Sequence, residues 1–327
     1  MIAFVVRRLL AMIPTLVFVS IACFIIIQLP PGDFMTSLQA LAASSGSGAD
    51  KAAMDNLRHQ YGLDQPKAVR YIKWIAGFPR GDFGYSFEWK RPVRELIAAR
   101  LGLTVLLSVL SLALMWLVAV PVGIYSAAHQ YSGTDNFITA LAFLGLSVPD
   151  FLLGLIYLFI GIFVFGASVT GLFSPGLADV PWSAAKVLDL SSHLFWPALI
   201  LGLGGMTQLI RILRGSMLEV IGQPFVRTAR AKGLGERVVI RTHAVKVAIN
   251  PLVSVMGMQL PQLISGATIL GIVLSLPTTG PMFIRALTSQ DMYLAGTFLL
   301  FLALMLMVGN LLADVALAWI DPRIRYQ

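Results

Sequence analysis

Residues 101–127 run for twenty-seven positions without one charged side chain. About twenty consecutive apolar residues suffice to cross the hydrocarbon of a bilayer as a helix. No water is available there to satisfy an open backbone, so a spanning segment of this composition must be helical. Comparable runs occur near residues 1–29, 137–165, 193–213, 248–276 and 293–319. Six transmembrane helices are therefore expected, in an all-α integral membrane protein. The composition agrees, since 57% of the 327 residues are apolar and 12% are charged, against about 25% charged in soluble domains.

The segments between the runs set the orientation. Arg7 and Arg8 precede the first run, and Leu-Pro-Pro-Gly-Asp follows it. A run this long with no small-residue cleavage site reads as a first span starting inside, not as a cleaved signal. Residues 30–100 form a polar insert without a span. Within it, Ser44 to Gly48 reads as a flexible stretch, and residues 50–61 as a helix with Asp50 as its cap. Tyr61 to Pro66 and Arg80 to Gly84 read as turns, with a short helix between them. The insert holds ten Lys or Arg, but long loops translocate largely regardless of charge, so it is placed outside, between helices 1 and 2. Elsewhere twelve Lys or Arg fall on one side and only Lys186 and Arg285 on the other. This is the positive-inside pattern, with both termini in the cytoplasm of a bacterial inner membrane. It also accounts for the formal charge of +8 through orientation and anionic lipid, without nucleic acid. The domain reading is thus residues 1–29 as an N-terminal helix, 30–100 as the extracytoplasmic insert and 101–327 as a five-helix core.

That core carries a basic cytoplasmic segment, residues 219–247, extending to Pro251. It holds Arg227, Arg230, Lys232, Arg237, Arg241 and Lys246 against Glu219 and Glu236. Each charge would cost about 2.5–3.5 kcal/mol at the centre of a spanning helix, so the segment must face water. Residues 227–232 are expected to be helical and to end at Gly233. Thr228, Ala229 and Ala231 are small enough to admit another surface. Anionic lipid could hold such a loop. A docking helix for an acidic or polar partner cleft is the other reading.

Catalytic signatures are missing. The chain lacks a phosphate-cradling Gly-x-x-x-x-Gly-Lys-Ser/Thr loop, so nucleotide energy must come from another subunit. It has no His-Glu-x-x-His or Gly-x-Ser-x-Gly pattern. One cysteine, Cys23, and four scattered histidines provide neither a disulfide nor a metal site. No carboxylate ladder or regular arginine series marks a proton-driven transporter or a voltage sensor. Asp150 is the one carboxylate deep in an apolar run. It either lines a path or meets backbone N–H groups freed by Pro149. Gln259 and Gln262 flank Pro261 and serve either interhelical hydrogen bonding or contact with a transported solute. Gly202, Gly204 and Gly205 suit close helix contact, and Asp314 suits pairing with an arginine.

The segment Thr228-Ala229-Arg230-Ala231-Lys232-Gly233, with His243-Ala244-Val245 and Asn250-Pro251, resembles the coupling-helix motif of binding-protein-dependent ABC importer permeases. That motif is Glu-Ala-Ala, three residues, Gly, nine residues, then Ile-x-Leu-Pro. Ala229 and Gly233 match it, Arg227 and Thr228 replace Glu and the first Ala, and Lys246 replaces Pro. The chain looks like the oligopeptide/dipeptide branch, to which Arg7-Arg8-Leu9-Leu10, Pro31-Gly32-Asp33, Gly81-Asp82-Phe83-Gly84-Tyr85-Ser86, Arg91-Pro92-Val93 and Asp321-Pro322-Arg323 are also similar. Pro277-Thr278-Thr279-Gly280 departs from that branch, which usually carries Glu and then Pro-Gly-Leu-Gly there. The resemblance implies a type I ABC importer permease. It further implies pairing with a second homologous permease, two ATP-binding subunits that hold ATP and Mg, and an extracytoplasmic solute-binding protein. Arg227, Thr228, Ala229, Arg230, Ala231, Lys232, Gly233 and Leu234 would be the ATPase-coupling residues, in a helix from about Pro224 to Leu234. Asp150, Gln259 and Gln262 are the candidates for the pathway. Peptides are the expected cargo; opines, oligosaccharides or nickel chelates are the alternatives within the same fold. An ion-coupled transporter and a lipid-modifying enzyme are the readings from other classes.

Overall fold

A computed structural model describes residues 2–32, 34–44, 56, 58–59 and 62–320. The expectations for Ser45 to Gly48, for the Asp50 cap and most of its helix, and for the Asp321-Pro322-Arg323 tail lie outside the described residues. Five helices are long and apolar enough to cross a membrane, or six when one bent pair counts as a single span. The chain divides into two compact units, residues 6–102 with 278–305 and residues 1–5 with 103–277 and 306–327.

The first unit contains most of α1 (Ile2–Ile27), then α2 (Phe34–Ser44) and α3 (Lys67–Gly77). A two-stranded hairpin follows, with Tyr85 opposite Pro92 and Ser86 opposite Arg91. The unit also takes the start of α4 (Val93–Ala128), which begins about eight residues before the apolar run that announced it. The insert is packed against its neighbours, because α3 turns Trp74 onto Phe24 and Thr297. Ser20 and Tyr71 share a hydrogen bond of 2.7 Å. Asp291 is fully buried and ties the hairpin down. Its carboxylate accepts from Ser86 Oγ at 2.5 Å and from the Glu88 and Leu294 backbone N–H groups. Burial pushes its carboxyl above the ordinary aspartate range despite these bonds. Gly84 sits at φ +89°, where a β-carbon would meet the Tyr293 ring at 2.8 Å. Only glycine tolerates both that backbone and that approach.

The second unit holds the rest of α4, then α5 (Gly133–Ser147), α6 (Asp150–Phe159, extended by a π-helical turn to Val164), α7 (Ala184–Ile221), α8 (Pro224–Ala231), α9 (residues 236–248), α10 (Asn250–Val273) and the end of α12 (Met292–Ile320). Helix α11 (Thr279–Thr288) belongs to the first unit. Three expectations are corrected here. The third span is not one rod: α5 and α6 meet at 95° across Val148-Pro149, because proline removes a donor and bars the residue before it from helix. The fourth helix is 38 residues long, not about twenty. Its early charge is satisfied in place, since the Lys186 ammonium donates to the Ala178 and Val180 carbonyls at 2.7 Å and lies over the Phe173 ring. The Pro277–Gly280 turn opens into α11 instead of leading directly to the last span.

Close crossings are built where the sequence offers glycine. A β-carbon on Gly257 in α10 would lie 2.6 Å from the Asn310 nitrogen in α12, and one on Gly309 would lie 2.7 Å from the Gly257 carbonyl. Without a hydrophobic drive between helices in lipid, such backbone contact is what holds them. Gly202 and Gly205 pack against Ser111 and Met115 of α4 as expected, whereas Gly204 faces open space.

Candidate functional site: a basic ledge and a polar cavity

Both candidate regions lie in the second unit. Pro224 occupies the first turn of α8, where its missing N–H costs nothing. Val226 and Ala229 point inward and join one apolar cluster with Leu209, Leu213 and Met217 of α7 and Val239 and Ala244 of α9. The other face is bare: between residues 227 and 238 every position except Ala229 is exposed. Arg227, Thr228, Arg230, Ala231, Lys232, Gly233 and Leu234 thus form an accessible strip, with Phe225 and Val238 adding exposed apolar area. Ala229, expected with Thr228 and Ala231 to admit another surface, has its side chain packed into this cluster. Gly233 ends the helix as expected, at φ +79° with its N–H on the Arg230 carbonyl at 2.9 Å. A β-carbon there would meet nothing within 4 Å, so within this chain Gly233 is required by backbone conformation and not by a tight contact.

Across the turn, Arg230 grips Glu236 with two bonds of 2.7 and 3.0 Å. The guanidinium holds the Glu236 carboxyl below the usual glutamate range. The pair fastens the end of α8 to the start of α9 and cancels one positive charge, leaving Arg227, Lys232, Arg237 and Arg241 to define the strip.

A second ion pair anchors the helices behind it. Asp135, in the first turn of α5, accepts from Arg214 of α7 at 2.8 and 3.0 Å. It also accepts from the Tyr131 N–H at 3.0 Å and from the Ser126 hydroxyl of α4. Three helices meet on one carboxylate. In the sequence Asp135 lies in the short stretch between two apolar runs and Arg214 just past the inner end of a third, with nothing to pair them. The Ser132-x-x-Asp135 spacing, with Ser132 capping the Asp135 N–H at 3.1 Å, was the available signal.

The polar cavity lies between α4, α5, α6, α7 and α10. It encloses about 230 Å³ and is lined by Asp150, Gln208, Gln259, Gln262, Gly204 and Gly205 among apolar residues. All three residues proposed from sequence for a pathway converge on it. Gln208 joins them and was missed, because an isolated glutamine in an apolar helix carries no spacing signal. Asp150 makes no hydrogen bond or ion pair with any described residue, so it does not satisfy backbone N–H groups freed by Pro149. Gln259 is buried; its Oε1 accepts from Trp116 Nε1 at 3.4 Å, while its Nε2 has no partner. The interhelical reading therefore applies to half of one glutamine. Asp314 does engage another group.

Five helices, or six with the bent pair as one span, are long and apolar enough to cross a membrane, and the second unit keeps a polar cavity among its own helices, which is the build of a membrane transport protein. Residues 119–326 match the family of binding-protein-dependent transport system inner membrane components, and residues 1–108 match that system's N-terminal membrane-component family. The chain belongs to this family. It is 35% identical over its full length to the oligopeptide transport system permease protein AppB of Bacillus subtilis, covering all of both chains. It is 32% identical to a probable peptide ABC transporter permease protein of Sinorhizobium fredii, over 99% of each. Among solved structures, the MetNI methionine ABC transporter in inward-facing conformations matches with a TM-score of 0.51 at 16% identity, covering 69% of this chain and 96% of that one. The fold is therefore that of a type I ABC importer permease, and the chain is a multi-pass transmembrane subunit of such an importer.

Proposed function

We propose that this chain forms half of the translocation pathway for peptides or similar small solutes, driven by ATPase subunits that seat on residues 227–234. The observation that carries the proposal is the two-faced build of residues 224–248. One face is continuous with the core of α7 and the other is exposed and basic. A push on the exposed face cannot be absorbed by a floppy loop, because close-packed side chains transmit displacement. ATP and Mg belong to the partner subunits, whose closure would tilt α7 and α10 and so open or shut the cavity between them. A second homologous permease completes the path, and a solute-binding protein delivers cargo at the opposite face. The charge asymmetry of the short loops supports cytoplasmic termini and an extracytoplasmic insert. The peptide assignment is supported by the names of full-length relatives.

The test is co-purification of the tagged chain with its cognate ATPases. Arg227→Glu with Lys232→Glu should cut ATPase recovery at least tenfold and abolish uptake, while the protein remains monodisperse. Unchanged recovery removes the docking claim, and uptake by the chain without ATPases would make it an ion-coupled carrier. The ligand held by the cognate solute-binding protein decides between peptides and opines, oligosaccharides or nickel chelates.

A further inference from the structure

We infer that the cavity around Asp150 is a transient binding site for a positively charged group of the cargo, an ammonium such as a peptide amino terminus or lysine side chain. This deepens the pathway reading and rests on it. The cavity presents one carboxylate and three primary amides on walls that are otherwise glycine and apolar. A carboxylate among membrane-spanning helices is costly unless it is paired or faces water. Asp150 has no partner among the described residues, and its Oδ2 stands 3.4 Å from where a β-carbon on Gly266 would lie. That glycine leaves the carboxylate open on its α10 side. The amino end of α6 offsets part of the charge, but no N–H group reaches the oxygen atoms.

The amides complete the match. The buried Nε2 of Gln259 is unpaired, and Gln208 and Gln262 are exposed at the cavity with no partner among the described residues. Amide side chains both donate and accept, which suits the N–H and C=O groups of a peptide bond beside an ammonium. One charge-assisted bond with neutral amides around it selects sign without trapping the cargo, as a conduit requires.

The test uses the complete transporter in proteoliposomes with saturating binding protein and labelled tri-alanine. Asp150→Asn should lower uptake at least tenfold, and Asp150→Glu should retain most of it. A second measurement separates charge from shape: Asp150→Cys in a Cys23→Ser background, treated with thiosulfonates that attach either a sulfonatoethyl or an aminoethyl group. The anionic adduct should restore uptake and the cationic adduct should not. Wild-type uptake by Asp150→Asn, equal uptake by the two adducts, or failure of the cysteine to react with either reagent would overturn the site. In each of those cases the wild-type transporter still imports, so the pathway reading stands. A wild type that imports no peptide defeats that reading, and this site with it.

Discussion

Asp135 and Asp150 open the two halves of one broken span, each in the first turn of its helix, yet they are treated in opposite ways. Asp135 is enclosed by Arg214, Ser126 and the Tyr131 backbone. Asp150 has only a cavity in front of it. In an apolar environment a carboxylate is stabilised either by fixed partners or by access to water. The first kind joins helices and the second kind is left available to a partner from outside the chain. The number of partners, rather than the presence of a charge, separates a carboxylate that joins helices from one left open to a cavity.

The contrast is sharpest in stability. Asp135→Ala should cost about 3 kcal/mol, because it strands the Arg214 guanidinium beside a buried pocket. Thermal unfolding in detergent reads this directly. Replacing both partners, as Asp135→Asn with Arg214→Met, should cost less than the single alanine change. An equal or larger loss would mean that the pair does more than neutralise itself. Gly233→Ala comes next, at about 1 kcal/mol, since a β-carbon strains the left-handed backbone. Gly233→Asn should recover part of that loss, because asparagine tolerates this region. Asp150→Asn should shift unfolding by less than about 0.5 kcal/mol, as no intramolecular bond is lost. A drop comparable to that of Asp135→Ala would erase the distinction between the two residues.

Arg230 and Glu236 form a solvent-exposed pair worth only a few tenths of a kcal/mol, about 0.3, and weakened by salt. Its pH dependence has a defined sign. The folded-state value of Glu236 is depressed, so the contribution is complete above the ordinary glutamate value of 4.5 and is lost as pH falls through the depressed one. The difference in melting temperature between wild type and Glu236→Gln should therefore be present at pH 7 and vanish under strong acid.

The hydrophobic spans were legible because hydrocarbon imposes one rule on every residue in it. The exposure of the basic segment followed from the same rule, and its glycine stop from the left-handed backbone that ends a helix. The cavity was partly legible: Asp150, Gln259 and Gln262 stood out as polar groups in apolar runs, and geometry gathered them. Gln208 did not stand out, and the length of α7 was misread. In both cases the linear pattern shows a polar residue without showing what lies opposite. Lys186 looked like a loop residue until two carbonyls and two rings were found around its ammonium.

Composition and order along the chain were enough to show that it carries apolar runs able to cross a bilayer and a basic stretch that cannot lie in hydrocarbon. These depend on transfer free energies, which each residue carries with it wherever it sits. The 95° break at Pro149, the inward turn of Ala229 and the opposite fates of two aspartates depend on neighbours far away in sequence. Pairing, burial and close approach are properties of two surfaces meeting, and one strand of letters holds only one of them at a time.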